Sequence, residues 1–261
     1  MDGQLISPME LREIIVITDG KSNIGGDPVD AARLVHKKGI IVNTIGITGK
    51  EEQEEPFVEL DGIARAGGGI CDIIPLTRLG YSIQTVTRKS VQMTIEKAVS
   101  RQLRKITGYS LDEMEPDSRT RILEYIQRVG DEVDLRCVVL LDCSGSMKNR
   151  IKTAVNSIQE LLLSLRARRG RFCLGIVVFP GDAGRESRIV SGFTSDFEEL
   201  ALRLDTIKVG GATPTYAGII RASEMFDGQD EAMYPDGIHE GSKGLRYGLW
   251  QEENGEKPFI L

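Results

Sequence analysis

Short apolar runs alternate with segments of helical periodicity along the first third of the chain. Residues 13–18 (EIIVIT) are apolar on both faces of an extended chain beyond Glu13, as expected of a central parallel strand, and the run stops at Asp19-Gly20. Asp27-Pro28 then opens a helix, with Asp as N-cap and Pro at the first helical position. That helix, residues 29–38, places Ala32, Val35 and His36 on one side and closes at Gly39. Residues 40–47 give a second buried strand, and residues 56–66 a second helix closed by Gly67-Gly68-Gly69. A short third strand follows over residues 70–74. The order β-α-β-α-β is that of a parallel sheet with crossover helices.

The middle of the chain changes character. Residues 79–106 read as one long helix, with Ile83, Val86, Val91, Ile95, Val99, Leu103 and Ile106 near helical spacing. Its other positions are basic: Arg88, Lys89, Lys97, Arg101, Arg104 and Lys105 form either a solvated face or a strip for an acidic partner. A shorter helix over residues 118–129 is expected to end at Gly130. A second α/β run then begins. Residues 135–141 (LRCVVLL) form an apolar strand ending in Asp142-Cys143-Ser144-Gly145-Ser146, and Ile151, Val155, Ile158, Leu162 and Leu165 stripe the next helix. Residues 172–179 form a strand, residues 187–193 a more polar strand suited to a sheet edge, and residues 195–204 a helix capped by Ser195. Gly210-Gly211-Ala212-Thr213-Pro214 leads into a helix from Tyr216 to about Phe226. The last residues, 227–261, are rich in glycine and charge and carry no regular pattern.

Composition narrows the function classes. The chain has 261 residues, 40% hydrophobic and 28% charged, enough to bury a core without staples. A net charge of −6 offers phosphate no general attraction, which argues against a nucleic-acid binder. The N-terminal residues lack the basic start and apolar stretch of a signal peptide, and no run is long enough to span a membrane. A cytoplasmic protein is therefore expected, with Cys71, Cys137, Cys143 and Cys173 reduced. His36 and His239 have no companion at metal-ligand spacing and read as surface residues.

The chemistry concentrates in Asp142-x-Ser144-x-Ser146. A carboxylate and two hydroxyls at alternate positions lie just past the end of a buried strand, where open α/β sheets bind ligands. Hard oxygens of this kind suit Mg²⁺, and three of them leave its shell incomplete, so neighbouring loops must add more. Taken alone, Asp-x-Ser-x-Ser is weak, because Asp and Ser routinely cap helices. Other motifs fail on spacing. Six residues separate Cys143 from Arg150, where a tyrosine-phosphatase loop needs five, and Asp142 stands where the first glycine of a serine-hydrolase elbow belongs. No Gly-Lys-Ser/Thr follows Gly210-Gly211, so that pair is not a phosphate loop.

Together, Asp142-x-Ser144-x-Ser146, Gly210-Gly211-x-Thr213-Pro214 and Thr18-Asp19-Gly20 resemble the metal-ion-dependent adhesion site of von Willebrand factor type A domains. The resemblance implies an open, mostly parallel, doubly wound α/β sheet of six strands. It also implies a single Mg²⁺ site (Mn²⁺ or Ca²⁺ as alternatives) held by Asp142, Ser144, Ser146, Thr213 and Asp19. Members of that family capture a partner protein's Asp or Glu at the metal and are not, as a rule, enzymes. Gly20, Lys21, Met147, Thr215 and Tyr216 adjoin the five in sequence and are expected at the rim.

The chain departs from the family in order. Residues 1–76 resemble the half holding strands 4–6, residues 77–133 are a helical linker, and residues 134–226 resemble the half with strands 1–3. Residues 227–261 form an irregular tail. Asp-x-Ser-x-Ser does not recur in residues 1–100, and either half alone would expose a long apolar strand edge. The expectation is one circularly permuted domain, as a monomer or as a dimer exchanging halves. Two other functions compete: a structural subunit of a larger ATPase- or chelatase-like assembly, and metal-assisted hydrolysis. The latter lacks a histidine or spare carboxylate near the five in sequence.

Overall fold

The computed structural model describes residues 10–48 and 55–228, without the side chains of residues 55 and 56. His239, the C-terminal Pro258-Phe259-Ile260-Leu261 and nearly all of the expected tail lie outside the described residues. The strands are β1 (Glu10–Thr18), β2 (Ile40–Thr48), β3 (Gly68–Pro75), β4 (Asp134–Asp142), β5 (Phe172–Phe179) and β6 (Arg188–Thr194). The helices are α1 (Pro28–Lys37), α2 (Glu55–Ala66), α3 (Leu79–Thr107), α4 (Pro116–Glu132), α5 (Ile151–Leu165), α6 (Phe197–Leu204) and α7 (Thr215–Glu224).

All six strands form one sheet in the order β3-β2-β1-β4-β5-β6, parallel except for β6, which pairs antiparallel with β5 at the edge. This is the open doubly wound α/β sheet expected. Alternate side chains of each central strand feed two cores. Ile15, Ile17, Val139 and Leu141 pack beneath α3, α4, α5 and α6, whereas Ile14, Val16, Val138 and Leu140 pack against α1, α2 and α7. All nine positions of β4 are buried, which explains its unbroken apolar run.

The longest connection links the edge strand β3 to the central strand β4. Helix α3, at 29 residues, is about 43 Å long, whereas a nine-residue strand spans only about 30 Å. It therefore overshoots the sheet. Its first five turns bury Leu79, Ile83, Val86, Val91 and Ile95, while its end runs into solvent and Ile106 is exposed, contrary to its place in the sequence pattern. Gly108, at a φ of 78°, stops the helix, and α4 brings the chain back to β4.

Several local expectations were wrong for physical reasons. Gly130 does not end its helix; α4 runs to Glu132, and Gly130 faces Val91 and Ile95 of α3. Of the three glycines after α2, Gly68 and Gly69 belong to β3. At Gly69 a Cβ would fall 2.2 Å from the Val42 carbonyl oxygen, so this glycine serves close strand approach. Asp196, not Ser195, caps α6, accepting from the N–H groups of Glu198 and Glu199. His36 does not share the buried side of α1 with Ala32 and Val35, but it is exposed, as its reading as a surface residue expects.

Candidate metal centre

Strands β1 and β4 are parallel neighbours, paired from Glu10–Asp134 to Ile17–Leu141. The chain leaves β1 toward α1 on one face and β4 toward α5 on the other, which opens a crevice at their carboxyl ends. Thr18 and Asp142, one position past the last pair, meet at its floor. The Thr18 hydroxyl donates to Asp142 Oδ2 at 2.5 Å, and the Ser144 N–H donates to Asp142 Oδ1 at 2.7 Å. Asp142 is fully buried. Burial pushes its pKa up to about 6, hydrogen bonds from Thr18 and Ser144 oppose the rise, and the nearby Asp19 charge adds to it.

The other oxygens follow in a chain. Ser144 Oγ and Ser146 Oγ lie 3.0 Å apart, and Ser146 Oγ donates to Asp19 Oδ1 at 2.7 Å. Asp19 Oδ2 pairs with the Arg150 guanidinium. Four of the five residues read from sequence are thus linked, through the Ser144 N–H and side chains, from loops more than a hundred residues apart. Thr213 joins differently. Its hydroxyl makes no hydrogen bond to the other four, but its loop is tied to both neighbours. Its N–H donates to Asn23 Oδ1 at 2.8 Å, its carbonyl accepts from Ser22 Oγ at 3.1 Å, and the Gly145 N–H donates to the Gly211 carbonyl at 3.3 Å. Gly211 has a φ of 91°, and a Cβ there would lie 3.0 Å from Pro180 Cγ. Only glycine fits that bend without strain.

Two rim expectations need correction. Met147 and Thr215 are buried under the site, whereas Lys21 is exposed, and Gly20 and Tyr216 are partly exposed. Cys143 points into the core, where burial holds its thiol well above the ordinary range and disfavours the thiolate. The four cysteines are free thiols.

Sequence reasoning gave no role to Thr18, Ser22, Asn23, Arg150 or Glu59. Thr18 stands inside the Thr-Asp-Gly motif but reads as a strand residue. Asn23 bonds a residue 190 positions away, so no local spacing marks it. Glu59, on α2, accepts from the Ser22 N–H at 2.8 Å, and burial raises its pKa. Its link to the site runs through Ser22, whose hydroxyl donates to the Thr213 carbonyl.

The donors are all oxygen: two carboxylates and three hydroxyls. Among the described residues no group of three or more His, Cys, Asp or Glu side chains could hold a metal ion, so soft, nitrogen-rich or sulfur-rich sites are not present there. Two acids and hydroxyls fit a hard divalent cation that keeps part of its water shell.

Comparison with known proteins agrees with this fold. Residues 137–239 match the family model described as von Willebrand factor type A domain. The chain is 34% identical over 221 residues to "Uncharacterized protein YabS" of Bacillus subtilis (strain 168), covering 83% of this chain and 89% of that one. It is also 37% identical to an uncharacterized protein from Alicyclobacillus acidocaldarius whose crystal structure superposes with a TM-score of 0.76, covering 83% of this chain and 94% of that chain. With a relative matched over most of both lengths, the chain belongs to the same family as the Bacillus subtilis protein, and its residues 137–239 match the von Willebrand factor type A domain.

Proposed function

We propose that this chain is a metal-dependent protein-binding module, in which Asp142, Ser144, Ser146, Thr213 and Asp19 hold one Mg²⁺ and a partner's acidic side chain is captured there. The observation that carries the reading is the unbroken path Asp142–Ser144–Ser146–Asp19, which brings two carboxylates from separate loops into one crevice. When bound, the cation supplies a Lewis-acidic position that a partner's carboxylate completes. Thr18 and the Ser144 N–H fix both oxygens of Asp142, so its charge is preoriented. Ser144 and Ser146 offer hydroxyls from the turn before α5. Thr213 is set by Asn23, and Asp19 adds the second negative charge. Mn²⁺ suits the same donors, whereas Ca²⁺ prefers six to eight oxygens and would need more from water or partner.

We read the chain order as a circular permutation of the family's domain. Exchanging the two three-strand halves leaves the strand order 3-2-1-4-5-6 unchanged, so the same sheet is reached by either order. The order of the metal motifs carries the distinction: Asp19 follows the first strand, and Asp142-x-Ser144-x-Ser146 follows the fourth. Helices α3 and α4 supply the connection that such a rearrangement needs.

The reading is of a binding protein, not an enzyme, located in the cytoplasm. Calorimetric titration of Mg²⁺ or Mn²⁺ into chelator-treated full chain should give one site, absent in Asp142→Ala; no binding, or equal binding by the variant, contradicts it. Partner capture from extract should require Mg²⁺ and fail in EDTA. Capture that persists in chelator points instead to a constitutive subunit of an assembly.

A further inference from the structure

Away from the crevice, helices α3, α4 and α5 and the turn after α5 border an open cleft of about 660 Å³. Its volume falls in the range of small-molecule sites. Four arginines line it (Arg88, Arg128, Arg168 and Arg169) against two acids, Glu124 and Asp131. The local balance is therefore +2, on a chain whose net charge is −6.

These arginines are only partly neutralised. Arg168 is held by Nη2, which donates to the carbonyls of Gly130 at 2.8 Å and Val133 at 2.9 Å. Its Nε is buried without a hydrogen-bond partner among the described residues. Burial pulls its pKa below the ordinary arginine value, and the charges of Glu13, Asp131 and Asp134 oppose this. The Arg128 guanidinium lies over the Tyr125 ring, 5.7 Å from its centroid, rather than beside a carboxylate. Arg88 is exposed on α3, and Arg169 has an ion-pair partner in Glu132 at 3.5 Å. The amides of Gln84 and Gln127 and the exposed ring of Tyr81 complete the wall.

We propose that this cleft binds a phosphate-bearing small molecule of about nucleotide size. Every cation lining it is arginine, although Lys89 is next to Arg88 in sequence. Arginine's planar fork suits multidentate grip on phosphate oxygens, where lysine acts as a point charge. The amides and the tyrosine ring offer hydrogen bonds and a stacking face to the ligand's organic part. None of the five candidate metal ligands lines the cleft, so this site stands or falls independently of the crevice.

The test is titration of ATP, inorganic pyrophosphate and citrate into full-length chain in EDTA at low salt. ATP should bind with roughly micromolar to sub-millimolar Kd. Binding should weaken at least tenfold in Arg88→Ala/Arg128→Ala, whose circular dichroism and melting temperature should match the parent because both side chains are exposed. Asp142→Ala should bind ATP as the parent does. The proposal is overturned if ATP and pyrophosphate fail to bind, if the double variant binds ATP equally well, or if citrate binds as tightly as ATP.

Discussion

Two buried carboxylates lie on adjacent strands, and the same solvent loss gives them different roles. Asp142, at the end of β4, and Glu13, within β1, are both raised, to about 6 and about 7, with burial as the main cause. Asp142 has donors on both oxygens, and its neighbours lead out to the exposed Ser146. Glu13 is sealed under α3. Its Oε2 accepts from Asn43 at 3.1 Å, its Oε1 has no hydrogen-bond partner among the described residues, and Asn43 in turn bonds Ser90 and the Ile70 N–H. One carboxylate is held by donors on both oxygens at a crevice, and the other, raised to about 7, sits inside a polar strut joining β1, β2, β3 and α3. Burial alone does not mark a site; the donors around the group and its access to solvent do.

The largest test of that difference is Asp142→Ala, which should weaken Mg²⁺ binding by about a hundredfold or more, equivalent to roughly 2.7 kcal/mol. Glu13→Gln should leave metal binding unchanged and act on stability. A glutamate whose folded pKa is raised contributes stability that is complete below its unfolded value of 4.5 and is lost as pH rises through about 7. The glutamine variant should therefore be more stable than the parent at pH 8, by about 3 kcal/mol, and melt higher, with a flatter melting profile between pH 4.5 and pH 8. An unchanged profile would show that Glu13 is ionised in the fold.

Asn23→Ala, which frees the Thr213 loop, should weaken Mg²⁺ binding about tenfold, close to 1.4 kcal/mol, with little change in melting temperature because Asn23 is exposed. The smallest effect has the opposite sign. Arg150 competes for Asp19, so Arg150→Ala should tighten Mg²⁺ binding by roughly threefold to fivefold, less at high salt. Weaker binding in that variant would mean that Arg150 supports the site.

How much of this was readable from sequence depends on the range of the interaction. The strands announced themselves because β1, β2, β4 and β5 are buried on both faces, and β6 announced its edge by its polarity. Asp142, Ser144 and Ser146 were legible because their alternation is local. Thr213 and Asp19 needed a family resemblance, since nothing along the chain says that β1 lies beside β4. Asn23, Arg150 and Glu59 were invisible for the same reason: each acts on a residue of another segment. Glycines misled where packing outweighed conformation, as at Gly130 against α3 and Gly69 against Val42.

The most direct measurement is Mn²⁺ stoichiometry by electron paramagnetic resonance on dilute chain, with Asp19→Ala and Asp142→Ala studied separately and as an equimolar mixture refolded together. One site per parent chain, lost in each variant and not regained in the mixture, is the expected result, because both carboxylates belong to the same crevice of one chain. A site that persists in either variant, or that returns when the two are mixed, would contradict it.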